Sequence, residues 1–177
     1  GSVKQIVEEY QAKYQQIVYK KIENKGIAAN TNAAAELASG EYLALADHDD
    51  ILAPHAMYTM GKAIAQLREA GEPDGFLYSD EALFTKKIEK PLVAHFKPDY
   101  APDYLLCCNY ICHLAVFRRE LFEQVGGERP ECDGSQDHDL FLRLIEQVGG
   151  AAHVPQVLYY WRVHEGSTSG GTDAKPY

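Results

Sequence analysis

Apolar residues recur along the chain at two different spacings, which predict helices and strands in succession. Apolar positions three or four residues apart predict amphipathic helices over 3–14, 54–70 and 119–125, and another that opens after Gly134. An Ala-rich stretch over 27–38 predicts a further helix, which ends at Gly40. Short apolar runs predict strands at 17–22, 42–46, 76–79, 114–117, 151–154 and 157–160. Strands that alternate with helices favour an α/β domain of three layers.

The stretch from Tyr42 to Asp50 carries the strongest chemical signal. Its first half has the length and apolar character of a strand buried on both faces of a parallel sheet. Asp47, Asp49 and Asp50 then follow within one turn. Carboxylates this close repel one another, so their full ionisation is costly unless a cation neutralises them. These residues alone leave two interpretations open: a divalent-metal site at the end of a strand, or an acidic turn that caps the next helix.

Acidic residues also accompany the ends of two other predicted elements. Asp80 and Glu81 directly follow a predicted strand. Asp137 and Asp139 fall in the first turn of the last predicted helix, where Asp complements the helix dipole and where Ser135 is a natural N-cap. Capping can account for one of these two Asp residues but hardly for both. Both acidic pairs are therefore candidates for a catalytic or ligand-binding role as well as for a structural one.

Composition and charge narrow the function classes. Of the 177 residues, 46% are hydrophobic and 24% are charged, which is ordinary for a globular domain with a sizeable core. With 17 Lys and Arg against 26 Asp and Glu, the net charge is −9. That charge argues against sequence-independent nucleic-acid binding, and a metal would have to bridge the chain to an anionic phosphate ligand. No run of 18 apolar residues and no signal-peptide pattern is present.

Cysteine usage indicates the redox compartment. The chain has 4 cysteines, and none of them forms a CxxC pair. Neither a zinc site nor a disulfide framework has this spacing. We therefore expect reduced, buried thiols and a cytoplasmic protein.

An ordered series of motifs resembles the GT-A glycosyltransferases of family 2. The series runs from residue 24 to the end of the chain. The motifs are Asn-Lys-Gly-Ile at 24–27, Gly-Glu-Tyr at 40–42, Asp-His-Asp-Asp at 47–50, Tyr-Ser-Asp-Glu at 78–81, Phe-Lys-Pro-Asp at 96–99, Gln-Asp-His-Asp-Leu at 136–140 and Tyr-Trp-Arg-Val-His at 160–164. They are most similar to those of bacterial enzymes that build O-antigen, rhamnan and other cell-surface polysaccharides.

The resemblance implies a fold and a domain organisation. The fold would be a GT-A (Rossmann-like) three-layer sandwich with a mostly parallel sheet. A single, partial GT-A domain would occupy residues 3–177, and Gly1 and Ser2 would be an expression remnant. The family's opening strands, which carry a Pro-x-Tyr-Asn-like motif and an Asp-Asp-Gly-Ser motif and hold the nucleotide, have no counterpart here. We therefore expect an open sheet edge beside the strand at 42–46, self-association into a homo-oligomer, and little or no transfer by this chain alone.

The resemblance also implies roles for the matched residues. Asp49 would ligate Mn²⁺ or Mg²⁺ with Asp50 and His164, and Asp137 would be the general base of an inverting transfer. Gln136 stands where relatives carry Glu, which removes a charge beside that base. The residues expected to contact substrate are Gly26, Asn32, Asp47, Asp80, Gln136, Trp161 and Arg162. The Gln-x-x-Arg-Trp motif of the processive synthases is absent, so the addition of one or a few sugars is expected.

Three functions follow from these interpretations. The first is metal-dependent sugar transfer from a nucleotide-sugar donor to a glycan or lipid-linked acceptor in polysaccharide synthesis, in the cytoplasm or peripherally at the inner face of the membrane. The second is another metal-dependent phosphate-handling enzyme, such as a nucleotidyltransferase or phosphohydrolase. The third is a non-catalytic α/β module. The motif series favours the first.

Overall fold

The protein is described by a computed structural model over residues 2–164, in which helices cover both faces of a six-stranded sheet. The helices are α1 (Val3–Gln11), α2 (Ile27–Ala35), α3 (Ala56–Ala70), α4 (Pro102–Cys107), α5 (Arg119–Gln124) and α6 (Gln136–Val148), with a 3₁₀ turn at Pro130–Cys132. The strands are β1 (Tyr42–Ala44), β2 (Ile51–Leu52), β3 (Phe76–Phe84), β4 (Val93–His95), β5 (Ala115–Arg118) and β6 (Ala152–Arg162).

The sheet is mixed, in the order β1-β5-β3-β6-β2, with β4 beside the second half of β3. Strands β3 and β6 are parallel, whereas β1–β5, β3–β5, β3–β4 and β2–β6 are antiparallel pairs. The α/β class agrees with the prediction, but the prediction of a mostly parallel sheet is wrong for the described strands. Parallel neighbours need a long crossover between them, and the short loop after β3 instead returns the chain antiparallel as β4.

The core lies on both faces of the sheet, which gives the three layers. Alternate residues of β3 and β5 point to opposite faces, as the two-residue period of a strand requires. Phe76 and Phe117 belong to the cluster beneath α5 and α6, and their rings lie 5.9 Å apart. Leu77 and Val116 belong to the cluster beneath α3. Because both faces are covered, β3 is buried along almost its whole length.

Two strands differ from their predicted form. Strand β1 ends at Ala44 and lies at the edge of the sheet, so it is not buried on both faces: Leu43 is buried, but Ala44 is exposed. Strand β3 runs on to Phe84, so Asp80 and Glu81 lie inside the strand rather than after it. Both carboxylates are buried there, because hydrogen-bond partners described below satisfy them.

The two strands predicted around Pro155 form one strand, β6. Its register with β3 changes at the middle, where Ser79 faces Val154, Asp80 faces Val157 and Glu81 faces Tyr159. The residues of β6 between these pairs, including Pro155, form a bulge. Proline suits this position because it has no N–H to donate to a neighbouring strand.

The strand predicted at 17–22 is not present. This segment has no regular secondary structure, and it pairs with none of the strands in residues 2–164. Val18 is 61% exposed, so the apolar run is not buried by the described part of the chain. The hydrophobic pattern alone could not distinguish this segment from a paired strand.

All four cysteines are free thiols. Cys107 and Cys108 are exposed, and Cys112 and Cys132 are half-buried. The expectation that these thiols are buried is therefore wrong, because α4 and the loop after it lie near the surface.

None of the helices in residues 2–164 combines the length and apolar character needed to cross a lipid bilayer.

Candidate active site

The acidic turn between β1 and β2 is held against the end of β6. The hydroxyl of Tyr159 donates a 2.6 Å hydrogen bond to Asp50, and the backbone N–H of Asp47 donates to the same hydroxyl oxygen at 3.0 Å. The backbone N–H of Arg162 donates to the other Asp50 carboxylate oxygen at 2.7 Å. Burial raises the pKa of Asp50, and these hydrogen bonds act in the opposite direction. The orientation of Asp50 is therefore fixed before any ligand binds.

Asp49 and His164 meet at the outer side of this turn. Nε2 of His164 lies 2.8 Å from Oδ2 of Asp49, and this hydrogen bond lowers the pKa of Asp49. The guanidinium Nε of Arg162 donates to the carbonyl oxygen of Asp49 at 2.6 Å. Arg162, expected to contact substrate, is thus committed to holding the turn. Of the three residues expected to bind metal, Asp49 and His164 are in direct contact, whereas both carboxylate oxygens of the adjacent Asp50 accept hydrogen bonds from β6.

His113, which the sequence did not single out, completes a second group at this turn. Ligand atoms of Asp47, Asp50 and His113 lie within 4.8 Å of one another, and no other such trio occurs in residues 2–164. The imidazole of His113 stacks on the ring of Tyr159 at 4.7 Å and meets Trp161 edge-on at 5.6 Å. Two carboxylates and an imidazole are ligands that suit Mn²⁺. The residues therefore fit a divalent cation.

Asp137, in the first turn of α6, has both carboxylate oxygens oriented. The side-chain amide of Asn109 donates to Oδ2 at 2.8 Å, and the backbone N–H of His138 donates to Oδ1 at 2.9 Å. The neighbouring Gln136 side chain accepts from the N–H of Gly134 at 2.7 Å, so it is used within its own turn. Asp137 is half-buried, and an oriented carboxylate in such a place can accept a proton from a bound hydroxyl.

Asp139, the other acid of this turn, is used in ion pairs. Its Oδ2 lies 2.6 Å from Nη2 of Arg143, and its Oδ1 lies 3.3 Å from Nη1 of Arg129. Ser135 occupies the N-cap position, but its side chain makes no capping hydrogen bond. The two Asp residues therefore differ in surroundings: Asp139 pairs with cations, whereas the hydrogen bonds described for Asp137 come from neutral amides.

Gly26 and Asn32, expected near the donor, attach α2 to the segment before α6. The Asn32 side chain bridges the backbone of Glu128, with two hydrogen bonds of 2.8 Å. Gly26 has φ +102°, and a Cβ there would collide with the carboxylate of Asp133. That carboxylate accepts the N–H of Ala28 at 2.9 Å, in the first turn of α2. Packing therefore accounts for both Gly26 and Asn32 in the described structure.

Glu128 is a buried acid that the sequence did not single out. It is 3% exposed, and its Oε2 has no hydrogen-bond partner in the described structure. Burial raises the pKa of Glu128 to about 7. The nearby negative charges of Asp137, Asp133 and Asp47 contribute to this rise in the pKa, and a hydrogen bond with Thr31 opposes it. Glu128 is thus largely neutral below pH 7, which relieves the cost of burying it.

Asp80, expected to contact substrate, lies in a buried network. Its Oδ1 accepts the backbone N–H of Lys97 at 2.9 Å and lies 2.9 Å from Nε2 of His153. The other nitrogen of that imidazole lies 3.1 Å from Asp99. Asp80 is only 2% exposed, so the described structure leaves little of its carboxylate for a substrate.

A buried ion pair lies beside Asp80 and beneath the loop 108–113. Nζ of Lys97 is 3.3 Å from Oε2 of Glu81 and also donates to the carbonyl oxygens of Ile111 and His113. The N–H of His113 donates to the same Glu81 oxygen at 3.1 Å. Burial lowers the pKa of Lys97, and the charge of Glu81 opposes that effect. The ion pair anchors the loop that carries His113.

Sequence comparison decides the family. Residues 1–126 match the family described as Glycosyl transferase family 2, which is most of the chain. The chain belongs to glycosyltransferase family 2. This family 2 chain is 35% identical over 142 residues to the O-antigen biosynthesis protein RfbC of Myxococcus xanthus, covering 80% of the chain and 11% of that relative. Across the curated relatives that it matches, the chain spans 11% to 23% of their length.

Solved structures share the fold of this family 2 domain. Staphylococcus aureus TarS in complex with UDP-GlcNAc superposes with a TM-score of 0.70 at 17% identity, over 97% of this chain and 50% of TarS. The mannosyltransferase PcManGT of Pyrobaculum calidifontis, in complex with GDP-Man and Mn²⁺, gives a TM-score of 0.62 at 19% identity, over 92% of this chain and 44% of that one. The domain therefore has the GT-A fold that the motifs implied.

Proposed function

We propose that this domain takes part in transferring a sugar, with inversion, from a nucleotide-sugar to a hydroxyl of a glycan or lipid-linked acceptor. One observation carries the proposal: the loop 108–113 contacts an acidic turn at one end and a separate oriented carboxylate at the other. Glycosyl transfer needs such an arrangement, because the diphosphate gains negative charge while the acceptor hydroxyl loses a proton. The loop contacts are Asn109 with Asp137, and His113 with Asp47.

The family and its members support this substrate class. TarS and PcManGT are described with UDP-GlcNAc and GDP-Man, both nucleotide-sugars. RfbC is named for O-antigen biosynthesis, and further relatives are chondroitin and hyaluronan synthases of Pasteurella multocida. We therefore infer that the whole protein acts in the synthesis of a bacterial cell-surface polysaccharide.

We assign the cation-binding role to Asp47, Asp50 and His113, with Asp49 and His164 beside them. A bound Mn²⁺ or Mg²⁺ would neutralise charge on the departing nucleoside diphosphate. The imidazole favours Mn²⁺ over Mg²⁺, which prefers oxygen ligands. The chain's own contribution is orientation, because the bonds from β6 hold Asp50 and the stacked ring of Tyr159 holds His113.

We assign the general base to Asp137. Its two amide hydrogen bonds use one lone-pair site on each oxygen, so the carboxylate can still accept a hydroxyl proton. Asp139 is a poorer candidate because Arg143 and Arg129 pair with it. The change of a neighbouring Glu to Gln136 leaves this assignment intact, since the base itself is retained.

The test is turnover of a nucleotide-sugar panel by the intact protein: UDP-GlcNAc, UDP-glucose, GDP-mannose and dTDP-rhamnose with Mn²⁺. Release of nucleoside diphosphate and the anomeric configuration of the product are measured. Asp137→Asn should lower transfer by roughly 10²–10⁴-fold while donor binding is retained. The matched control Asp103→Asn, at an exposed Asp of α4, should keep wild-type turnover. Full turnover by Asp137→Asn would contradict the base assignment, and cleavage within the diphosphate without sugar transfer would indicate a phosphohydrolase.

A further inference from the structure

The side chain of Asn109 has both ends of its amide in use. Its Nδ2 donates to Oδ2 of Asp137 at 2.8 Å. Its Oδ1 accepts the backbone N–H of Cys112 at 3.2 Å. Since that N–H can only donate, the oxygen of the amide must face Cys112 and the NH₂ group must face Asp137. The hydrogen bonds therefore define which way the amide points.

The backbone around Asn109 is also fixed. The thiol of Cys112 donates to the carbonyl oxygen of Asn109 at 3.2 Å, and the N–H of Tyr110 donates to the carbonyl oxygen of Cys108 at 3.0 Å. Cys112 adopts φ +42°, a backbone conformation that is uncommon for a residue other than glycine. Its N–H and its thiol both contact Asn109, so this conformation closes the loop onto that residue.

The far end of the loop is anchored from inside the protein. The side chains of Lys97 and Glu81 are 3% and 2% exposed, and together they bind the backbone of Ile111 and His113. An exposed loop would let Asn109 move away from Asp137. Displacing this loop would leave the buried Lys97 ammonium without two carbonyl acceptors and the buried Glu81 carboxylate without an N–H donor, which is costly.

We propose that Asn109 is the positioning residue of the catalytic base, holding the Asp137 carboxylate in the orientation that faces the acceptor hydroxyl. The proposal rests on the proposed function, since it assigns Asn109 a role only through Asp137. An N–H donor stabilises a carboxylate more than its neutral acid. The donor also restricts rotation of the carboxyl group, which keeps a lone pair directed at the substrate.

A purely structural role for Asn109 would predict different behaviour. An amide that merely closed the loop would affect folding stability, but not the pH at which transfer begins. A positioning residue of the base affects the acid limb of the pH–rate profile, because that limb reports protonation of the base. The acid limb therefore separates the two roles.

Two variants of the intact protein make the test. Asn109→Asp matches the shape of the side chain and keeps an oxygen for the N–H of Cys112, but it replaces the donor to Asp137 with a second negative charge. Asn109→Ala removes both contacts. Turnover is measured against pH with Mn²⁺ and the panel donor that gives the highest rate. Thermal unfolding is measured alongside, and Asn109→Asp keeps the test informative where Asn109→Ala destabilises the loop.

We expect the acid limb to move to higher pH in both variants, by about one pH unit in Asn109→Asp and by less in Asn109→Ala. The value of kcat near neutral pH should fall roughly tenfold, within the range of the base itself, while KM for the donor stays unchanged. Adding either Asn109 change to Asp137→Asn should cause no further loss of kcat, because Asn109 acts through Asp137.

The outcomes separate this proposal from the proposed function. If Asp137→Asn abolishes transfer but both Asn109 variants keep the wild-type acid limb, Asn109 does not position the base, and the function assigned to Asp137 still holds. If Asp137→Asn retains full transfer, the base assignment fails and the role of Asn109 fails with it. A loss in the double variant beyond that of Asp137→Asn would also overturn the proposal.

Discussion

The hydroxyl of Tyr159 donates a 2.6 Å hydrogen bond to Asp50 from inside the sheet. Burial raises the pKa of Tyr159, so this hydroxyl remains a donor at every ordinary pH. Tyr159→Phe keeps the ring that stacks on His113 and removes only the hydroxyl. We expect Mn²⁺ affinity to fall roughly tenfold, as for other residues that orient ligands. The free energy of unfolding should fall by about 1–2 kcal/mol.

Calorimetry with Mn²⁺ and urea denaturation check this prediction. Tyr160→Phe is the matched control, because the neighbouring tyrosine contacts Phe84 rather than the acidic turn. Unchanged Mn²⁺ affinity in Tyr159→Phe would show that Asp50 needs no support from β6.

The cation site gives a second prediction, because the two candidate sets of ligands share only Asp50. The spatial trio includes His113, whereas the motif resemblance implies Asp49. We expect His113→Ala to weaken Mn²⁺ binding at least about tenfold, and Asp49→Ala to weaken it less. His55→Ala, at an exposed histidine before α3, is the control and should bind like wild type. A larger loss of Mn²⁺ affinity in Asp49→Ala than in His113→Ala would show that Asp49, rather than His113, is the ligand.

Glu128 gives a prediction about pH. The folded protein keeps the Glu128 proton up to a pKa of about 7, whereas the unfolded chain loses it near the ordinary 4.5. The stability contributed by the neutral form is therefore fully present below pH 4.5 and is lost as the pH rises to about 7. Glu128→Gln stays neutral. At about pH 8 it should raise the free energy of unfolding by roughly 2–3 kcal/mol.

The measurement is urea denaturation at about pH 8 and at about pH 4.5, where Glu128→Gln should have little effect. Glu131→Gln, at an exposed position nearby, should change stability little at either pH. An equal gain at both pH values would mean that the gain does not come from removing the charge of Glu128.

The buried ion pair gives a fourth prediction. Lys97→Met leaves the carboxylate of Glu81 buried without its cation, and it leaves two loop carbonyls without their donor. We expect the free energy of unfolding to fall by about 3–5 kcal/mol. Adding Glu81→Gln should recover part of that loss, because it removes the unpaired charge. Denaturation of Lys62→Met, an exposed lysine of α3, supplies the baseline; a loss no larger than in that control would contradict the prediction.

The edge of β1 gives a fifth prediction. Among the described strands β1 pairs only with β5, so its other edge has no partner within residues 2–164. We expect the 19.8 kDa chain to associate through this edge, so that its mass in solution exceeds that of one copy. Ala44→Lys places a charge on the edge and should shift the mass measured by light scattering towards the monomer. Ala65→Lys, on the exposed face of α3, should not. A monomeric wild-type chain would contradict this prediction.

The helices could be predicted because their evidence is local. In α3 and α6 the apolar positions repeat every three to four residues and a glycine follows the last turn, so a short window contains the whole signal. Strand direction has no such local signal. Whether β5 runs with or against β3 depends on which edges meet, and the sheet is therefore mixed rather than mostly parallel. Burial of Asp80 within β3 likewise depends on partners that arrive from distant parts of the chain.

The candidate site likewise contains residues that local sequence patterns predict and residues that only the folded chain brings together. The acidic turn and Asp137 could be predicted because clustered carboxylates and an acidic first helical turn are visible in the sequence. His113, Asn109 and Glu128 belong to no local pattern. Asn109 matters through Asp137, 28 positions away, and only the folded chain brings them into contact.

The bulge in β6 has a consequence for length variation. Pro155 and Gln156 have no partner residues in β3, so an insertion or deletion there can be absorbed without moving either half of the strand. From Tyr159 to Arg162 every residue of β6 has a partner in β3, so this part of the strand cannot absorb an added residue. One added residue would turn Arg162 to the opposite face of the sheet and carry it about 3.3 Å along the strand, away from Asp49 and Asp50. Related chains should thus gain and lose residues at the bulge and keep a constant spacing from Tyr159 to His164, which an alignment of family members can check.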